Sequence, residues 1–242
     1  MPSRTDSIDA DGGRFNAFVS VPAKPNGHAL IVLHEIFGVT AHIRAIADRF
    51  AEDGYLAYAP DLFWRVSPGI ELTHSKEDLG KAFGILKGYR DADGVDDIAS
   101  VARHLRALPG FDGKVAVAGM CLGGLLAYLA ATEEGEEGVG AAVGYYGVGI
   151  EKRLDLAAAI KRPLQLHFGD RDQYVPAEAR TRIERALSGN PLVEIHTYPD
   201  ADHGFYTRGS PAHIALARER TNAFLLRAAE REVSVVTEVR TE

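Results

Sequence analysis

Short apolar runs recur along the chain: ALIVLH (29–34), YLAYAP (55–60), KVAVAG (114–119), GAAVGYYG (140–147), PLQLHFG (163–169) and LVEIHTY (192–198). Successive side chains of a strand face opposite sides of a sheet. Runs without polar alternation therefore predict strands buried on both faces, as in a parallel sheet. Between these runs the spacing changes to a helical one. In residues 39–54, Ile43, Ile46, Ala47 and Phe50 share one face and Gly54 supplies a stop. Residues 94–110 repeat the pattern with Val95, Ile98, Val101, Ala102, Leu105 and Leu108, and residues 175–189 and 211–230 complete the set. Strand–helix alternation of this kind predicts an α/β fold with a doubly wound, mostly parallel central sheet flanked by helices. No linker, internal repeat or low-complexity segment divides the chain, so residues 1–242 are expected to form a single domain.

Two stretches are less regular. Residues 62–93 are interrupted by Pro68, Gly69, Gly80, Gly84 and Gly88. They read as an excursion over the C-terminal edge of the sheet, with one helix after Ser75. The end of the chain, residues 230–242, is highly charged and alternates enough to predict a short strand in a C-terminal extension.

Composition narrows the function. At 242 residues and 46% hydrophobic content the chain can bury one large core. The net charge of −7 and the scattered basic residues argue against a nucleic-acid partner. No apolar run approaches the roughly 18 residues of a membrane span, and the N-terminus lacks a signal-peptide core. A single cysteine cannot form an internal disulfide, which fits a reducing compartment. A soluble cytoplasmic protein without membrane partners is the expectation.

That cysteine lies in GMCLGG (119–124), between a predicted strand and a helix of small residues. Strand, glycine-flanked turn and helix are the context of a nucleophile elbow. The turn is sharp, and bulky residues two positions before or after the nucleophile would collide; Gly119 and Gly123 occupy those places. The helix N-terminus favours a thiolate or an oxyanion at Cys121. Neither GxxxxGK[ST] nor GxGxxG is present, so a phosphate loop does not account for the glycines.

A nucleophile needs a base and an orienting acid, in the order nucleophile, acid, histidine along an α/β-hydrolase chain. DRDQYVP follows the fifth predicted strand with Asp170 and Asp172, and PDADHGFY follows the sixth with His203. All these groups leave the same sheet edge, where ligands of open α/β sheets bind. Asp172 is preferred as the acid because QYVP leads straight into a helix, with Asp170 the alternative. HEIFG (34–38) has glycine where a zinc-binding HExxH would need its second histidine, and no metal or other cofactor is expected. His34 and His167 sit at strand ends and are expected to pack against the core.

With HEIFGV (34–39), GMCLGG (119–124), VGYYGVGIE (143–151), FGDRDQYVP (168–176) and DADHGFY (200–206) in this order, the chain resembles the dienelactone hydrolase family of the α/β-hydrolase fold. The resemblance spans about residues 10 to 228 and is most specific in pairing a cysteine elbow with a glutamate in the HEIFG loop. It implies that Glu35 restrains the thiol until substrate binds. It also places one oxyanion donor at the Ile36 N–H, beside the Leu122 N–H that follows from the fold. The implied reaction is opening of a small lactone or activated ester through a thioester acyl-enzyme. A thiolate suits substrates whose leaving group is already good.

The family's carboxylate-binding arginines fall on Leu79 and Thr207 in an ungapped comparison, with Lys81 and Arg208 nearby as substitutes. Phe37, Phe63, Trp64, Phe83 and Phe205 are candidates to line the cleft. A thioesterase or acyltransferase with the same triad, and a non-catalytic binding or redox-sensing α/β protein, are the alternative readings.

Overall fold

The computed structural model describes residues 1–135 and 138–239, the last nine of them as helical backbone. Eight strands form one sheet: β1 (Ser3–Ala10), β2 (Gly13–Ser20), β3 (Ala29–Leu33), β4 (Leu56–Pro60), β5 (Val115–Met120), β6 (Ala141–Tyr145), β7 (Leu164–Gly169) and β8 (Val193–Tyr198). Their spatial order is β1-β2-β4-β3-β5-β6-β7-β8. From β4 to β8 every pairing is parallel, and β1 and β2 add an antiparallel hairpin at one end.

The hairpin was not expected from the sequence. In β2 the alternate residues Phe15, Ala17 and Val19 turn into one core beside Ile8 of β1 and Phe18 packs partly buried against the other, so no long apolar run marks either strand.

The helices are α1 (Ala41–Glu52), α2 (Lys76–Leu86), α3 (Asp91–Arg106), α4 (Leu122–Ala130), α5 (Ala177–Leu187), the short α6 (Phe205–Arg208) and α7 (Pro211–Val239). The expected strand at the end of the chain is overturned, because α7 runs on through it to Val239. No glycine or proline follows Pro211, so nothing in the sequence stops the helix. The remaining three residues of that extension, 240–242, lie outside the described residues.

The double-sided apolar runs explain the layers. In β3, Ile31 and Leu33 join one core with Val117 of β5, packed under α3, α4 and α5. Leu30 and Val32 join the other with Ala116, Ala118 and Met120, packed under α1 and α7. Phe50 of α1 is fully buried there, a side chain whose removal from water contributes about 2 kcal/mol.

This order places the chemistry. The chain leaves β3 toward β4 and later returns to the opposite side of β3 as β5, which makes the C-terminal ends of β3 and β5 a topological switch point. Parallel register brings Leu33 beside Gly119, Met120 beside Tyr145, Tyr145 beside His167 and Gly169 beside Tyr198. Loops beginning within a few residues of these positions must meet above one edge. The excursion crosses that edge, anchored by a bridge between Gly38 and Glu71. Its helix α2 starts at Ser75, whose Oγ accepts the Asp78 N–H at 3.1 Å, an N-cap reinforced by Glu77 and Asp78 in the first turn.

A Cβ added at Gly123 would stand 2.6 Å from the Leu33 carbonyl oxygen and 2.7 Å from the Leu33 Cβ, with backbone that no rotamer change can clear. Gly123→Ala should therefore destabilise the fold by about 1–3 kcal/mol, read as a lower urea midpoint at unchanged slope. A midpoint equal to the parent's would show that the contact between α4 and β3 is not as close as described.

Candidate active site

Cys121 is the residue between β5 and α4. Its backbone is left-handed, at φ 54° and ψ −110°, a conformation that costs a non-glycine residue about 1–3 kcal/mol. The Cys121 N–H donates to the Tyr145 carbonyl at 3.0 Å, which ties the turn to the end of β6. The side chain is half-buried on the floor of a cleft of about 280 Å³, a size suited to a small molecule. Leu122 and Ile36 line the cleft beside it, and the Leu122 N–H is directed toward the sulfur.

Asp172 is buried in the loop after β7. Its Oδ1 accepts the N–H groups of Tyr174 at 2.8 Å and Val175 at 3.1 Å, and its Oδ2 lies 2.8 Å from Nδ1 of His203. Asp170 is exposed, so Asp172 is the carboxylate that meets the histidine. Arg180 from α5 clamps this loop, donating to the carbonyls of Gly169, Val175 and Asp170 at 3.0–3.2 Å. The His203 ring is held edge-on by Tyr146 and Tyr174, each 4.8 Å away between centroids. Cys121, His203 and Glu35 all line the one cleft.

Glu35 follows β3 and is almost fully buried. His34 fixes its loop: Nε2 accepts the Leu62 N–H at 3.1 Å, which leaves Nδ1 to donate to the Glu35 carbonyl at 2.6 Å. His167 is buried too, between the Tyr198 hydroxyl and Gln165, each 2.8 Å away. Burial pushes the Glu35 carboxyl above the ordinary range, against the pull of Arg208, His203 and the Tyr146 hydroxyl. Burial likewise pushes the Cys121 thiol well up; the Glu35 charge raises it further, while the Leu122 N–H and Arg208 pull the other way.

The remaining sequence candidates divide. Arg208 reaches the cleft, with Nη1 2.8 Å from Nε2 of His74 and 3.8 Å from the Glu35 carboxylate. Lys81 does not line the cleft: its ammonium is on the solvent side of α2, 2.8 Å from Glu77 and 3.1 Å from Asp78. Leu79, whose neighbour it is, faces inward instead. Thr207 is buried, donating to the Gly204 carbonyl at 2.8 Å.

Phe37 and Phe83 line the cleft. Phe63, Trp64 and Phe205 are structural. Phe63 packs on His34 and Tyr89, Trp64 stacks on Phe15 and donates to Asp97 at 2.9 Å, and Phe205 packs on Tyr198.

Sequence reasoning missed His74, Tyr146 and Tyr174. Tyr146 had a signal, since GYYG ends a predicted strand on the active edge. His74 had none, because it lies in the irregular excursion. Its imidazole is depressed by burial and by the Arg208 and His42 charges, so it is neutral at pH 7 and accepts from Arg208. Among the described residues no group of His, Cys, Asp and Glu is placed to hold a metal ion, and no helix is long and apolar enough to cross a membrane.

A doubly wound, mostly parallel sheet with a strained strand-to-helix turn and acid and histidine loops at one edge defines an α/β-hydrolase-type protein. The sequence pattern of the dienelactone hydrolase family matches residues 15–231, and the chain belongs to that family of carboxylic ester hydrolases. It is thus a lactone or ester hydrolase acting on small molecules. It is 41% identical to the carboxymethylenebutenolidase of Pseudomonas sp. strain P51 over 90% of each chain. Against the carboxymethylenebutenolidase of Pseudomonas putida the identity is 38%, over 89% of this chain and 92% of that one. A solved structure ascribed to a dienelactone hydrolase of Klebsiella pneumoniae subsp. pneumoniae superposes with a TM-score of 0.79, at 27% identity, over 92% of this chain and 97% of that one.

Because Glu35 holds the thiol up, Glu35→Gln should shift alkylation of Cys121 by iodoacetamide toward lower pH, with faster reaction at pH 7–9. The sign is set by removing a negative charge beside a group that becomes negative on losing its proton. An unchanged profile would dissociate the two side chains.

Proposed function

We propose that the chain is a cysteine-dependent hydrolase that opens small lactones or activated esters through a thioester on Cys121. The observation that carries this reading is the 2.8 Å contact between buried Asp172 and His203, in the same cleft whose floor carries a strained, outward-facing cysteine. In the resting site the sulfur is a protonated thiol. When substrate fills the cleft, Glu35, whose affinity for a proton burial has raised, takes the thiol proton. The thiolate adds to the carbonyl, and the N–H groups of Leu122 and Ile36 receive the oxyanion. Collapse breaks the carbonyl–oxygen bond, and the leaving enolate or alkoxide recovers the proton from Glu35.

His203, oriented by Asp172, then removes a proton from water as the water oxygen adds to the thioester. Collapse of this second adduct breaks the C–S bond, and the imidazolium returns its proton to sulfur. The acid product leaves and the site is reset. The relatives named carboxymethylenebutenolidase agree with lactone opening as the reaction. The single thiol fits work in the reducing cytoplasm.

Cys121→Ala should lower kcat/KM for an activated aryl ester by about 1,000-fold or more. His203→Ala should stall after acylation, so that mass spectrometry finds the acyl group on Cys121. Hydrolysis by Cys121→Ala at the parent rate would end this reading.

A further inference from the structure

We propose that His74 is a positioning residue: its imidazole holds the Arg208 guanidinium beside Glu35 and so keeps Glu35 in the ionised form that can accept the thiol proton. This inference rests on the functional reading above, in which Glu35 is the group that deprotonates Cys121.

Arg208 is a long, partly exposed side chain at the end of the four-residue helix α6. Among the described residues its one polar contact shorter than 3.5 Å is to Nε2 of His74, at 2.8 Å. The Thr207 hydroxyl and the His203 carbonyl lie at 3.5 Å, and the Glu35 carboxylate at 3.8 Å. A guanidinium only donates, so Nε2 of His74 is the unprotonated ring nitrogen that accepts. Fixing an arginine costs about 2 kcal/mol of rotamer freedom, and contacts of 3.5 Å and beyond are too long to offset that at a partly exposed site. The imidazole is therefore the partner that fixes the guanidinium.

The acceptor is itself held in place. The Leu72 N–H donates to the Phe37 carbonyl at 2.9 Å, the Thr73 N–H donates to the Asp78 carboxylate at 2.8 Å, and Ser75 caps α2. The backbone is thus tied on both sides of His74, and its ring packs on Phe37, 4.3 Å between centroids. Phe37 stands two residues beyond Glu35. The contacts close a ring: the loop after β3 holds His74, His74 holds Arg208, and Arg208 faces the carboxylate of that same loop.

Burial drives Glu35 toward its protonated form, and Arg208 is the strongest of the groups that oppose it. A protonated Glu35 cannot take a proton from sulfur, so the place of the guanidinium decides how much of the resting enzyme is competent. His74 meets Arg208 from α6, His42 from α1 at 6.2 Å between ring centroids, and the Glu35 carboxylate at 3.9 Å. Burial and the charges of Arg208 and His42 hold the imidazole neutral, the state that accepts. Protonation of His74 would set two donors against each other and push the guanidinium off Glu35.

The test is the acid limb of kcat/KM for p-nitrophenyl acetate. It reports groups of the free enzyme as far as acylation and so reads Glu35, whereas His203 acts on the acyl-enzyme and enters kcat. His74→Phe keeps a ring against Phe37 and removes the acceptor. Its acid limb should move to higher pH by about 0.5–1 pH unit, because a carboxylate that loses its counter-ion binds a proton more tightly. His74→Gln, whose amide oxygen can accept from Arg208, should recover most of that change. In an Arg208→Met background His74→Phe should add nothing, since it acts through the guanidinium.

An acid limb of His74→Phe that superposes on the parent's, equal displacement by Phe and Gln, or an undiminished displacement in the Arg208→Met background would overturn the proposal while acylation of Cys121 preserved the functional reading. An absence of acyl adduct on Cys121 of the parent would overturn the functional reading and this proposal with it.

Discussion

The turn at Cys121 exists because backbones touch where side chains would normally intervene. A Cβ at Gly119 would fall on the Gly123 carbonyl, one at Gly123 on Leu33, and one at Gly124 within 2.6 Å of the Tyr145 carbonyl oxygen. These approaches seat α4 directly on β3 and β6, so the first turn of the helix lies between the loops that follow those strands. The cost of the left-handed cysteine is met by the helix behind it, in which every residue from Leu122 to Ala130 is buried. Three non-glycine residues among those described have positive φ: Cys121, Tyr146 and Asp200. They follow β5, β6 and β8, at the same edge of the sheet. Backbone strain is thus concentrated where loops must turn abruptly to aim side chains at one another.

Around that turn the charges form a balanced set. Asp172 is buried but fully partnered, accepting two backbone N–H groups and the histidine. Glu35 is buried with a longer contact to Arg208, and burial pushes its carboxyl up against the pull of that guanidinium. The two carboxyl groups thus differ in their partners: Asp172 has three donors around it, Glu35 a distant guanidinium. Asp172 is held where it meets the imidazole of His203, and burial raises the affinity of Glu35 for a proton. His74 completes the set by accepting from Arg208, which keeps the guanidinium against Glu35 instead of out in the cleft.

Much of this was legible in the chain. The first five apolar runs became β3 to β7 because both faces of the parallel sheet are covered there, the sixth became the half-buried edge strand β8, and the period-3.6 segments became α1, α3, α5 and α7. Glycine at both flanking offsets left a nucleophile turn and a phosphate cradle open, and the order of the acid and histidine segments downstream favoured the elbow. What was not legible depended on one-sided burial or on long-range packing. The β1–β2 hairpin buries alternate residues and so lacks a run. Trp64 and Phe205 share composition with cleft residues, and only contacts with Phe15, Asp97 and Tyr198 separate them. Lys81 and Leu79 are two positions apart on α2, so the rotation of that helix decides which enters, and Ala82 is the only one of its residues fully buried to set it. His74 precedes the Ser75 cap, and its place beside Arg208 depends on where the excursion crosses the edge.

The same exclusion of water has opposite effects on the sulfur and on the carbonyl it is proposed to attack. A half-buried thiol beside a carboxylate resists ionisation, which slows attack in the resting site but also protects the sole cysteine from oxidation, since the thiolate is the form that oxidants and electrophiles take. Backbone N–H groups in a cleft that substrate has emptied of water interact more strongly with a developing oxyanion than they would in water, because less solvent screens the charge. A substrate that covers the apolar lining removes that water, so it strengthens those donors when the sulfur is asked to ionise. On the proposed reading, the apolar lining therefore belongs to the chemistry as much as to recognition. A substrate too small to displace water from Phe83 and Tyr174 would bind more weakly and would also leave the oxyanion donors partly screened, so shortening it should lower kcat as well as raise KM.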